Sequence, residues 1–319
     1  MRIDLTGFKI IGTGSSNPAH TVTNEELALI SPIDAAWTSK TLGISSRYFI
    51  KDDESLSDLV FQAVKMAITD ANLNEKPDLL LVATSTPDYI NPSMACILHE
   101  RLKLGDNCPA FDIQAVCNGF LYGLATAASL LRASNDTHAI VVGADQFSKI
   151  TDYKSRDAGY FGDGAGAIIL NQSSYYNSQF VIDLYAQGNG WDQFQTSVEV
   201  GKWKMDGRGA YNTVMKKVPP SILSLLDDNQ LSIDDVDLFV FHQPSAVILD
   251  GLEKALKIPS NKIIRILSEF GNTAGATVPM VLHTVFNDIR DTDKLVCFAS
   301  FGSGWTWSVG LYRDNKLNS

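Results

Sequence analysis

Short β-branched and leucine-rich runs alternate along the chain with longer amphipathic stretches, the pattern of an α/β protein with buried strands. In the first half the runs at 79–84, 109–115 and 138–143 predict strands. Leu56, Leu59, Val60, Ala63, Met66 and Ala67 recur at helical spacing and predict a helix over 56–70. A second helix is expected from Cys117 through Phe120, Leu121, Leu124 and Ala128 toward Arg132. The second half repeats the plan, with strands at 236–241, 263–267 and 294–299. Two related halves are therefore expected, 1–172 and 173–319.

The repeat gives the reactive side chains a place. From Ser85, just past a strand, to Cys117 is 32 residues, and from His242, past the matching strand, to Asn272 is 30. Cys117 and Asn272 are then expected at equivalent strand-to-helix turns. Reactive groups of α/β sheets collect at the carboxyl ends of strands, and two halves about a pseudo-twofold axis would bring Cys117, His242 and Asn272 into one cleft.

Each of the three carries a distinct chemistry. Cys117, within Gln114-Ala115-Val116-Cys117-Asn118-Gly119, stands where a strand gives way to a helix, and a helix N-terminus lowers a thiol's pKa. Cys96, Cys108 and Cys297 lack such a setting and read as core. His242 ends an apolar strand, and a buried neutral imidazole can donate a hydrogen bond to developing negative charge. Asn272, in Gly271-Asn272-Thr273-Ala274-Gly275, offers two N–H donors among small residues. The glycine-rich turn at Gly302-Ser303-Gly304 can present a backbone N–H to an oxyanion. Gly12-Thr13-Gly14 and Gly162-Asp163-Gly164-Ala165-Gly166 complete neither a dinucleotide fingerprint nor a phosphate loop, and predict tight turns and close packing.

Composition narrows the field. The 319 residues are 45% apolar and 19% charged, ordinary for a folded domain. A net charge of −10 argues against nucleic-acid and anionic-membrane partners. The first residues lack a secretory core, no apolar run approaches the roughly 18 residues that span a bilayer, and a cytoplasmic protein is expected. Four cysteines without paired spacing and five scattered histidines suggest neither disulfides nor a metal.

Taken in order, these segments resemble the ketoacyl-acyl carrier protein synthase III family, condensing enzymes of the thiolase-like fold. The likeness runs from Ile11-Gly12-Thr13-Gly14 through Pro92-Ser93-Met94-Ala95-Cys96 and Phe161-Gly162-Asp163-Gly164 to Thr306-Trp307. It implies two pseudo-symmetric α/β halves layered α-β-α-β-α. It also implies that Cys117 takes an acyl group from acyl-CoA, while His242 and Asn272 stabilise the enolate formed when a malonyl thioester, such as malonyl-acyl carrier protein, loses CO2. Backbone N–H groups of Cys117 and Ser303 would hold the oxyanion. Trp37 and Arg156 would sandwich adenine, with Met205, Gly207, Tyr211, Ser245 and Phe301 along the substrate path. The resemblance further implies a homodimer and no cofactor beyond acyl-CoA as substrate.

The chain departs from the family pattern at three places. Thr41-Leu42-Gly43-Ile44 stands for Arg-Thr-Gly-Ile, His242-Gln243-Pro244-Ser245 lacks the arginine that follows, where Val247 stands, and Ser303 replaces a glycine. These departures keep a second reading open, an acyltransferase of specialised metabolism that serves another nucleophile or a non-standard β-keto thioester. A papain-type protease does not suit the surroundings of Cys117.

Overall fold

The alternation resolves, in a computed structural model describing residues 1–134 and 136–314, into two five-stranded sheets. The strands are β1 (Arg2–Asp4), β2 (Phe8–Ser16), β3 (His20–Thr23), β4 (Ser46–Phe49), β5 (Leu79–Ala83), β6 (Ala110–Ile113) and β7 (His138–Asp145). They continue with β8 (Gly164–Gln172), β9 (Gln179–Ala186), β10 (Phe194–Thr196), β11 (Trp203–Met205), β12 (Leu238–Phe241), β13 (Leu295–Gly302) and β14 (Thr306–Arg313). The longer helices are α1 (Leu56–Asp70), α2 (Met94–Leu102), α3 (Gly119–Ser134), α4 (Gly207–Asp228), α5 (Ala246–Leu256) and α6 (Thr277–Ile289).

The sheets follow one plan. Their orders are β2-β8-β7-β5-β6 and β1-β9-β14-β13-β12. Reading inward from β2 or from β9, the next two pairings are antiparallel and the third is parallel. β1 adds an outer edge to the second sheet, so the first strand of the chain pairs with the C-terminal half.

Period-two burial explains the layering. Within β5, Leu79 and Leu81 face one core while Leu80 and Val82 face another. The first core lies between the sheets, where Phe120 and Leu124 of α3 and Val278 and Leu282 of α6 meet Val141, Val240 and Phe298. Leu59 and Val60 of α1 and Leu98 of α2 cover the far face of the first sheet. Val218 and Ile222 of α4 and Leu252 of α5 cover that of the second. The result is the α-β-α-β-α stack.

Three expectations change. The strand predicted at 263–267 reduces to one parallel bridge, Phe239 to Ile263. Beyond it the Gln243 side chain takes over the work of a neighbouring strand: its Nε2 donates to the Ile264 carbonyl at 2.6 Å, and its Oε1 accepts from the Ile266 and Leu267 N–H groups at 2.9 and 3.0 Å. Gly12 and Gly14 form no turn; they lie inside β2, where a Cβ would meet the Ala67 and Ala63 carbonyls of α1 at 2.4 and 2.1 Å. Cys96 is exposed rather than core.

Candidate active site

The nucleophile candidate sits on a strained turn. Val116 has φ +49°, an uncommon conformation for a β-branched residue, and opens a 3-10 turn, Val116–Asn118, that leads into α3. In the second half Ala274, φ +48°, opens the 3-10 turn Ala274–Ala276 that leads into α6. The two turns are equivalent, but the counterpart of Cys117 is Gly275, and Asn272 lies three residues earlier.

A buried carboxylate ties the second of these turns to the segment that follows β5. Asp145, at the end of β7, accepts hydrogen bonds from the Ser85 N–H at 2.8 Å, the Thr86 hydroxyl at 2.9 Å and the Gly275 N–H at 2.9 Å. Burial raises its pKa to about 6 against the pull of these donors. Nothing in the sequence singled out Asp145, because an acid after an apolar run reads as an ordinary strand end.

Burial also decides the state of Cys117. It pushes the thiol well above its ordinary range, Asp145 adds to the shift, and Cys117's own N–H opposes it. The lowered pKa expected from a helix N-terminus is therefore not found; one 3-10 turn offers less than the desolvation costs. The backbone of Cys117 is held from the other half, its carbonyl accepting from the Ser300 hydroxyl at 2.7 Å.

His242 and Asn272 are both fixed and both buried. Burial lowers the His242 pKa to about 3, so the ring is neutral at physiological pH. The His242 backbone N–H donates to the Ala299 carbonyl at 2.8 Å, its ring packs edge-on against Phe301 at 5.2 Å, and Nδ1 is buried without a partner among the described residues. Asn272 Oδ1 accepts from the Ala274 N–H at 2.9 Å. A backbone N–H requires an acceptor, so this contact sets the orientation of the amide and leaves Nδ2, the donor end, for a ligand.

A cavity of about 150 Å³ brings these groups together: Cys117, His242 and Asn272 all line it, as do Trp37, Met205, Gly207, Tyr211, Ser245, Phe301 and Ser303. Arg156 lies outside it, against Trp37, its guanidinium carbon 5.5 Å from the ring centroid. A base between the two needs about 3.5 Å on each face, so the pair must part to admit one. Thr41 and Val247, two of the departures, also line the cavity.

The glycine-rich turn is closer to the nucleophile than the sequence revealed. A Cβ on Gly302 would lie 3.1 Å from the Cys117 N and 3.0 Å from the Ala115 carbonyl. The Ser303 hydroxyl donates to the Phe194 carbonyl at 2.8 Å, anchoring the turn to β10. Among the described residues no group of His, Cys, Asp and Glu could hold a metal ion, and no helix is long and apolar enough to cross a membrane.

The family described as 3-oxoacyl-[acyl-carrier-protein] synthase III matches residues 111–190, and its C-terminal part matches residues 226–313. The chain is 37% identical over 315 residues to beta-ketoacyl-[acyl-carrier-protein] synthase III of Ehrlichia ruminantium strain Gardel, covering 96% of this chain and 98% of that protein. The 3-oxoacyl-[acyl-carrier-protein] synthase III of Aquifex aeolicus superposes with a TM-score of 0.89 at 30% identity, covering 96% of this chain and all of that one. That of Pseudomonas aeruginosa gives 0.90 at 29% identity, with 98% and 100% coverage.

Proposed function

This chain belongs to the 3-oxoacyl-[acyl-carrier-protein] synthase III family, and from that premise we propose a two-step condensation centred on Cys117. It is an acyltransferase of the condensing-enzyme type. The Cys117 sulfur attacks the thioester carbonyl of an acyl-CoA, the thiol proton passes to the CoA sulfur, and CoA leaves. A malonyl thioester then loses CO2, the enolate carbon attacks the acyl-cysteine carbonyl, and the carbon–sulfur bond breaks to free Cys117, whose sulfur takes up a proton from water.

The observation that carries this reading is the shared cavity with two neutral donors. A His242 imidazole with its proton on Nε2 and the Asn272 amide donate hydrogen bonds to the enolate oxygen. Both are far weaker proton donors than an imidazolium, which favours hydrogen bonding to the enolate oxygen over protonation of its carbon. Backbone N–H groups of Cys117 and Ser303 serve the oxyanion of each tetrahedral intermediate. Trp37 and Arg156, once parted, hold the CoA adenine, and Met205, Gly207, Tyr211, Ser245 and Phe301 line the path of its arm.

The test is CO2 release from carboxyl-labelled malonyl-acyl carrier protein, with malonyl-CoA as a parallel arm that identifies the carrier. Release that depends on acyl-CoA and falls at least about 100-fold in His242→Ala and Asn272→Ala supports the roles. Undiminished release in either variant removes that residue from the mechanism.

The assembly is proposed to be a homodimer formed along β6. That strand edges the first sheet, and Phe111 on it is exposed, as are Tyr89, Ile90 and Cys96 in the segments beside it. Light scattering at the monomer mass would oppose it. Four free thiols suit a reducing compartment, and the cytoplasm is the proposed location.

A further inference from the structure

The wall beside Cys117 is aromatic and two layers deep. Phe161 and Trp203 line the cavity, and Phe147, fully buried, backs them both. Phe147 stacks on Phe161 at 4.7 Å, while Trp203 meets Phe147 edge-on at 5.1 Å and Phe161 at 5.8 Å. Cys117 belongs to this same apolar cluster. On the opposite side the cavity reaches Trp37 and Val247, both exposed, so its mouth lies there.

Trp203 is delivered by a structure separate from the two sheets. β10 and β11 pair in register, Phe194 with Met205 and Thr196 with Trp203, so these four share one face of the ribbon. Gln195 and Lys204, on the other face, are exposed. Phe194 stacks on Trp203 at 5.8 Å and buttresses it from the side.

We propose that Trp203 sets the upper limit on acyl primer length by closing the space beyond the Cys117 thiol. The inference rests on acylation of Cys117 as proposed above. A volume of about 150 Å³ is what one small aromatic molecule fills, and the CoA arm takes part of it. A two- to four-carbon acyl group fits beside the thiol, and a longer chain meets the indole.

Trimming Trp203 leaves no polar group without its partner. Its indole N–H is buried without a partner among the described residues, so removing it orphans no other group. It lies outside the three large cores that hold the sheets together.

The experiment compares wild type, Trp203→Leu and Trp203→Ala by rate of acyl-adduct formation, read by intact mass, with acetyl-, butyryl-, hexanoyl- and octanoyl-CoA. Wild type is expected to lose at least about tenfold in rate between the butyryl and octanoyl thioesters. The variants are expected to raise the octanoyl-to-acetyl ratio at least tenfold, since each methylene admitted to an apolar site is worth about fourfold. Should Trp203→Ala fail to fold, Trp203→Met carries the comparison. Wild type that takes octanoyl as readily as acetyl, or variants that keep the wild-type profile, overturn the assignment of Trp203. A protein that takes no acyl group from any of the four overturns acylation itself, a separate and recognisable failure.

Discussion

Asp145 Oδ2 accepts a 2.9 Å hydrogen bond from the Gly275 N–H, tying the end of a strand in the first sheet to the turn that follows Asn272 in the second half. The same carboxylate holds Ser85 and Thr86, and its charge disfavours the Cys117 thiolate. It therefore fixes geometry and restrains the nucleophile at once.

Asp145→Asn separates these effects because they have opposite signs. Loss of charge-assisted hydrogen bonds should cost about 2 kcal/mol of stability. Well below the melting temperature at pH 8, where Asp145 is ionised, iodoacetamide should alkylate Cys117 several-fold faster than in wild type. Slower alkylation in the folded variant would remove the electrostatic link.

Because burial holds the Cys117 thiol protonated, wild-type alkylation should climb about tenfold per pH unit between pH 7 and 9. A plateau below pH 8 would mean that the helix N-terminus prevails over desolvation after all.

His242 makes a prediction about stability. Its folded pKa of about 3 lies below the unfolded 6.5, so the unfolded chain binds the proton more tightly. The stability associated with the neutral ring is present above pH 6.5 and is lost as pH falls toward 3. Between pH 6.5 and 4.5 wild type should lose about 2 kcal/mol more than His242→Asn, measured by denaturant unfolding. Parallel curves for the two proteins would contradict a ring held neutral by burial.

Gly302→Ala probes the approach of the two halves at the nucleophile. The methyl would stand 3.1 Å from the Cys117 N, in the space an oxyanion needs. Acylation should fall by about 100-fold with a melting temperature lowered by only a few degrees. Unchanged acylation would place the oxyanion elsewhere.

The sequence was most legible where local pattern decides the outcome. Leu79–Ala83 and Leu56–Asp70 follow from apolar periodicity, and both elements stand where it predicts. It was least legible where a side chain from a distant segment substitutes for backbone, as Gln243 does beyond Ile263, erasing an expected strand. Ionisation was misread for the same reason: the helix start at Cys117 is visible in the sequence, but the burial that outweighs it is tertiary. Gly302 acts on Cys117 through close approach and Asp145 through charge, neither of which any spacing encodes, and Trp203 lies on a three-residue strand too short to carry a period.

The central claim is that Cys117 carries the acyl group, and the most direct measurement is intact mass after mixing the protein with acetyl-CoA. One acetyl adduct per chain, mapped to the Cys117 peptide and absent in Cys117→Ala, is the predicted result. No adduct on wild type, or an adduct that persists in Cys117→Ala, would contradict it.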